Sequence, residues 1–95
     1  MTDLPVFGVL GGGLIGMSWA SLFLARGAKV IVVDPRNQAA EELSTFLAGA
    51  WSNLRALGLT ETDTWGPVIV SPDISALGEA EFIQENALNV ANPDI

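Results

Sequence analysis

The chain has no cysteine and no histidine among its 95 residues. These absences together remove disulfides, thiolate nucleophiles, Cys/His metal sites and imidazole acid–base chemistry. Positive charge is almost as scarce: Arg26, Lys29, Arg36 and Arg55 stand against 11 acidic residues, for a net charge of −7. Residues 1–55 are balanced, so the whole surplus falls in residues 56–95. A half that acidic repels phosphate backbones, which makes nucleic acid and anionic membrane poor partners for it. Met1 to Pro5 lack a basic leader region, and the mostly apolar stretch Val6 to Ala25 is broken by five glycines. Neither a signal peptide nor a membrane span is expected, and a cytoplasmic protein is the default.

What is present suffices for one small globular domain. Apolar residues make up 49% of the chain, well above the signature of disorder. A domain of this size buries only roughly 60% of its unfolded surface, so its stability is expected to be modest.

Val6 to Leu10 is a short apolar run ending at glycines and reads as a buried strand. Gly8 within it reads as tolerated rather than required. Leu14 to Arg26 is apolar almost all round, which predicts a helix covered on most sides and closed by Gly27. The β-branched run Val30 to Val33 predicts a central parallel strand, stopped by Pro35. From about Asn37, apolar positions Leu43, Phe46, Leu47, Ala50, Leu54 and Leu57 recur at helical spacing up to Gly58. Thr60 with Asp63 is expected to cap one further short turn, and Val68 to Val70 forms a third strand. Ser71, Pro72 and Asp73 open a short helix with Ile74 and Leu77 buried and Gly78 as its stop. Phe82 and Ile83 make the core of a fourth strand. The alternation predicts an α/β fold, a Rossmann-like parallel sheet of four strands in the order 3-2-1-4 with crossover helices.

The chemistry concentrates in Val6 to Asp34. Gly11, Gly13 and Gly16 fall on Gly-x-Gly-x-x-Gly spacing between a strand and a helix, and Asp34 lies 18 residues beyond the third glycine, at the end of the next strand. That is the layout of a dinucleotide-binding βαβ unit. A chain with so little positive charge has to hold a pyrophosphate with backbone N–H groups and the helix dipole. Gly11 allows the sharp turn, Gly13 lets phosphates approach the backbone, and Gly16 lets helix and strand pack closely. A merely structural glycine turn is the competing reading. Leu14 and Ile15 complete the candidate cradle. Asp34 is expected to accept hydrogen bonds from the ribose hydroxyls rather than to cap the next helix. A 2′-phosphate at about 4 Å would cost on the order of 4 kcal/mol at an effective dielectric of about 20, which favours NAD over NADP. Arg36 opposes that preference, because an arginine there can accommodate the phosphate. Trp19, Trp51 and Trp65 read as packing residues, and Glu41–Glu42 and Glu79–Glu81 as solvated surface. Gln84, Glu85 and Asn86 lie just past the fourth strand, where they either contact the nicotinamide half or form a surface loop.

Gly-Gly-Gly-Leu-Ile-Gly-Met-Ser-Trp-Ala at 11–20, Val-Asp-Pro at 33–35, Asn-Leu-Arg-Ala-Leu-Gly at 53–58 and Ala-Glu-Phe-Ile-Gln-Glu-Asn-Ala at 80–87 together resemble the NAD-binding domain of the L-3-hydroxyacyl-CoA dehydrogenase family. The Ser-Trp and Gln-Glu elements are most similar to the carnitine and gulonate (λ-crystallin) dehydrogenase branches. The resemblance covers nearly all of residues 6–87. Leu88-Asn89 departs from the family's usual Pro-Glu, so residues 88–95 are expected to be a divergent tail on a partial domain spanning 1–95. The resemblance implies an NAD(H)-binding portion of an enzyme that oxidises a secondary hydroxyl on a small substrate. The family's histidine–glutamate pair has no counterpart here, so no catalytic residue is carried over, and turnover by this chain alone is not expected. The alternative is a non-catalytic NAD-binding or assembly module. In either case a free edge on the fourth strand predicts self-association or a partner chain.

Overall fold

The computed structural model describes residues 4–85. Its elements in chain order are β1 (Val6–Leu10), α1 (Leu14–Ala25), β2 (Lys29–Val33), α2 (Ala39–Ala56), β3 (Val68–Ser71), a 3₁₀ helix (Ile74–Glu79) and β4 (Phe82–Glu85). The four strands form one parallel sheet in the order β3-β2-β1-β4, as the alternation predicts. In register, Leu10 lies beside Val33 on one side and Glu85 on the other, and Val33 lies beside Ser71. The carboxyl ends of all four strands therefore form one continuous edge.

β2 is internal because its side chains have an apolar layer on both faces. Val30 and Val32 join Val9, Ala20, Leu24 and the buried stripe of α2 in the larger core, whereas Ile31 and Val33 pack with Leu77 on the other face. The α2 stripe, Leu43, Leu47, Trp51 and Leu54, follows from spacings of three and four residues. Each such side chain, fully buried, contributes about 1.5–3 kcal/mol. Glu41 and Glu42 in the first turn of α2 and Arg55 in the last suit its dipole, and Gly58, with φ +78°, follows the helix in the left-handed conformation.

Several local expectations are corrected. Thr60 to Asp63 forms no helical turn: the Thr60 hydroxyl accepts the Thr62 N–H at 3.3 Å, a local bond that competes with a helix. Asp63 pairs with Arg55 at 3.1 Å, and the Trp51 indole donates to the Thr62 carbonyl at 3.0 Å, tying this loop to α2. Asp73 opens the helix after β3 by accepting the Ser75 N–H at 2.9 Å, which holds its carboxyl below the ordinary value. That helix is 3₁₀ and runs past Gly78 to Glu79; Leu77 is buried in it, whereas Ile74, in its first turn, is exposed. Gly8 sits at a close approach, since a Cβ there would lie 2.6 Å from Leu77 Cδ2 and 3.1 Å from the Ala80 Cβ and would force Leu77 to shift.

α1 is not covered on most sides. Leu14, Ile15, Trp19 and Leu22 are exposed, as are Phe82 and Ile83 on β4. Trp19 stacks on Phe23 at 5.5 Å, and Phe23 meets Phe7 at 4.7 Å and Phe82 at 6.1 Å, an aromatic cluster that fills the angle between α1 and the β4 side of the sheet. Trp51 and Trp65 pack as expected, edge to face at 6.1 Å. No helix among the described residues is long and apolar enough to cross a membrane.

Candidate functional site

The glycine turn, the start of α1 and the end of β2 meet on the carboxyl edge of the sheet. Gly11 has φ +96°, so the turn out of β1 needs a residue without a Cβ, and its N–H donates to the Val33 carbonyl at 2.8 Å. Gly12 donates its N–H to Asp34 Oδ2 at 2.8 Å, and a Cβ on Gly12 would lie 2.9 Å from that same oxygen. Gly13 is the N-cap of α1, with φ −71°, and a Cβ there would meet nothing within 4 Å. Among the described residues, neither backbone strain nor packing asks for glycine at position 13. The space in front of it is open, which fits a ligand lying against the backbone.

α1 begins without a side-chain cap and without an acidic residue in its first turn. Its first intrahelical bond runs from the Met17 N–H to the Gly13 carbonyl, at 2.8 Å. The N–H groups of Leu14, Ile15 and Gly16 precede that bond and give this end its partial positive charge. Gly16 is buried, as close packing of α1 on the sheet requires, whereas the Leu14 and Ile15 side chains are exposed.

Asp34 is 6% exposed, and each of its carboxylate oxygens accepts two hydrogen bonds. Oδ1 takes the Arg36 N–H at 2.8 Å and Nε at 3.0 Å; Oδ2 takes the Gly12 N–H at 2.8 Å and Arg36 Nη2 at 3.2 Å. Burial pushes the carboxyl up, but the Arg36 side chain, the two backbone N–H groups and the guanidinium charge outweigh it and hold Asp34 below the ordinary carboxylate value. Asp34 does not cap α2, whose N-cap is Gln38. Arg36 also donates from Nη2 to the Gly12 carbonyl at 3.3 Å and pairs with Glu42 Oε1 at 3.0 Å. A cleft of about 170 Å³ opens beside this group, lined by Asp34, Pro35, Arg36, Val70, Ser71 and Pro72.

Gly11, Gly13, Leu14, Ile15, Gly16, Asp34 and Arg36 are thus brought together. Gln84 and Glu85 belong to β4 rather than lying past it, because the strand extends in register with β1 to Leu10. Glu85 lies on the same sheet edge, with Leu10 between it and Val33; Asn86 lies outside the described residues. Sequence reasoning missed Gly12 and Glu42. The run of three glycines contained the signal for Gly12, since the motif's spacing explains only the first and third. Glu42, read as solvated surface, carried none.

A parallel β3-β2-β1-β4 sheet with a glycine turn, an uncapped helix start and a carboxylate on one edge defines a Rossmann-type dinucleotide-binding domain. The profile of the family described as "3-hydroxyacyl-CoA dehydrogenase, NAD binding domain" matches residues 6–92, and the chain belongs to that family. It is 40% identical over 86 residues to an L-carnitine dehydrogenase of Streptomyces griseus, covering 90% of this chain and 26% of that protein. Identity is 37% over 84 residues to a 3-hydroxyacyl-CoA dehydrogenase of Gibberella moniliformis, 88% of this chain and 26% of the relative. A solved diketoreductase superposes with a TM-score of 0.77 at 20% identity, over 97% of this chain and 35% of that one, and shows the same fold. The chain spans about a quarter of the length of the curated relatives it matches. NAD is the cofactor of the domain family.

Proposed function

We propose that the chain holds the adenosine and pyrophosphate part of NAD, as the cofactor-binding portion of a dehydrogenase acting on a secondary hydroxyl of a carnitine-, sugar-acid- or acyl-CoA-like substrate. The observation that carries this reading is Gly13: a glycine needed by nothing among the described residues, at an uncapped helix start, beside a buried carboxylate. The N–H groups of Leu14, Ile15 and Gly16 would receive the phosphates. Asp34 would accept the ribose hydroxyls, and the cleft beside it, with Pro35, Val70 and Pro72 in its lining, would take the base. When bound, NAD supplies the hydride acceptor. Glu85 and Asn86 are the candidates for its nicotinamide half. No described residue is given a proton-transfer role, and the sequence holds no histidine to supply one.

The outer edge of β4, with Phe82 and Ile83 exposed beside Trp19 and Leu22, supports a further part of the proposal. Another strand, from a second copy or another chain, would add there. A cytoplasmic setting belongs to the same reading. Titrating NADH against tryptophan fluorescence tests the cofactor assignment: binding should saturate and weaken in Asp34→Ala. Equal affinity in the two proteins would remove Asp34 from the site.

A further inference from the structure

Arg36 is the one basic side chain on the carboxyl edge. Arg26 caps the end of α1, Lys29 begins β2 and Arg55 lies in the last turn of α2, all toward the opposite edge. Any arginine contact to a 2′-phosphate on an adenosine ribose therefore has to come from Arg36. Its Nε and Nη2 are already committed, and Nη1 makes none of these contacts. Nε and Nη2 lie on Asp34 at 3.0 and 3.2 Å, while Nη2 also reaches the Gly12 carbonyl at 3.3 Å and Glu42 Oε1 at 3.0 Å. Asp34 approaches from β2 and Glu42 from the first turn of α2, so the fork is gripped from two elements. Two carboxylates around one guanidinium leave the group with a net charge of −1.

From this geometry we infer that Glu42 is a positioning residue for cofactor choice: by holding the Arg36 guanidinium against Asp34 and Gly12, it withholds from a 2′-phosphate the one cation able to receive it. The inference rests on the reading of Asp34 as the ribose acceptor. Arginine recognises phosphate through a planar fork of donors. With Nε and Nη2 held on carboxylates, the paired, two-donor grip on a phosphate is available only if one of those pairs breaks or the fork turns its Nη1 outward. Removing Glu42 leaves Nη2 held only by its longer contacts to Asp34 and Gly12, so the fork can turn outward, and takes the group to neutrality. Asp34 remains to meet the ribose. The preference against the phosphorylated cofactor is thereby assigned to a side chain in the following helix as well as to Asp34 itself.

The test is a double-mutant cycle read as the ratio of NADPH to NADH affinity, measured by fluorescence titration of the full chain. Glu42→Gln is expected to raise the ratio about fivefold, the upper end for a half-exposed ion pair. In an Arg36→Ala background the same change should move it by less than about 1.5-fold, since the effect acts through the guanidinium. Circular dichroism checks that each variant is folded, and Arg36→Gln replaces Arg36→Ala if the latter unfolds. An unchanged ratio in Glu42→Gln, with NADH still bound, overturns the inference alone. So does an equal increase in both backgrounds, which would mean simple removal of a negative charge. Failure of the wild-type chain to bind NADH overturns the proposed function and this inference with it.

Discussion

The Asp34 carboxylate accepts the Gly12 N–H at 2.8 Å, and the same oxygen would lie only 2.9 Å from any Cβ placed on Gly12. The end of β2 and the glycine turn after β1 are thus locked together by one residue pair, 22 positions apart. The carboxylate proposed to meet the ribose also shapes the glycine turn proposed to face the phosphates.

Gly12→Ala should therefore be destabilising. The Cβ would force either the carboxylate or the turn to shift, for a cost of about 1–3 kcal/mol. Thermal melts followed by circular dichroism check this, and an unchanged melting temperature would mean that the contact relaxes freely.

Gly8→Ala should cost about 1–2 kcal/mol, because the new methyl meets Leu77 Cδ2 in a filled core. Leu77→Val alone also destabilises, but the double variant should lose less than the sum of the two. Urea denaturation of all three variants measures that coupling.

Acid should weaken the Asp34 contact. Its folded pKa lies below the ordinary 3.8. The stability it contributes is complete above pH 3.8 and is lost as pH falls below that value through the folded pKa. The stability difference between wild type and Asp34→Asn, followed by urea denaturation, should stay level near neutrality and shrink in acid. A difference that grows as pH falls would contradict the assignment.

Trp51→Phe removes the indole donor to the Thr62 carbonyl, a part-buried hydrogen bond between α2 and the loop after it. A loss of about 1 kcal/mol is expected, readable in denaturant melts. Protease cleavage between Leu57 and Thr64 should become faster, since the bond ties that loop to α2.

β1, α1, β2 and the strand order were legible because β-branched runs, glycine positions and the buried stripe of α2 are local patterns that burial on a parallel sheet then enforces. The segment from Ser71 was only half legible. Asp73 announces a helix start, but nothing in Ile74 to Glu79 distinguishes three residues per turn from 3.6, and nothing there marks Ile74 as the residue that faces water. At the site, the glycines and Asp34 were visible from spacing. Gly12 against Asp34, and Glu42 against Arg36, were not, because each pair is made by the fold bringing separate elements together. The exposed side of α1 was misjudged for a similar reason: apolar sequence states that a surface needs cover and does not state which element supplies it.

The central claim is that Gly13 is glycine for the sake of the cofactor. Gly13→Ala isolates it, because the added methyl would meet no atom of the described residues within 4 Å. Melting and NADH titration on the same sample should show stability within about 1 kcal/mol of wild type, an ordinary N-cap effect. NADH affinity should fall by at least about tenfold, the loss of one charge-assisted hydrogen bond or more. Unchanged NADH affinity in a folded Gly13→Ala protein would contradict the placement of the pyrophosphate at the start of α1.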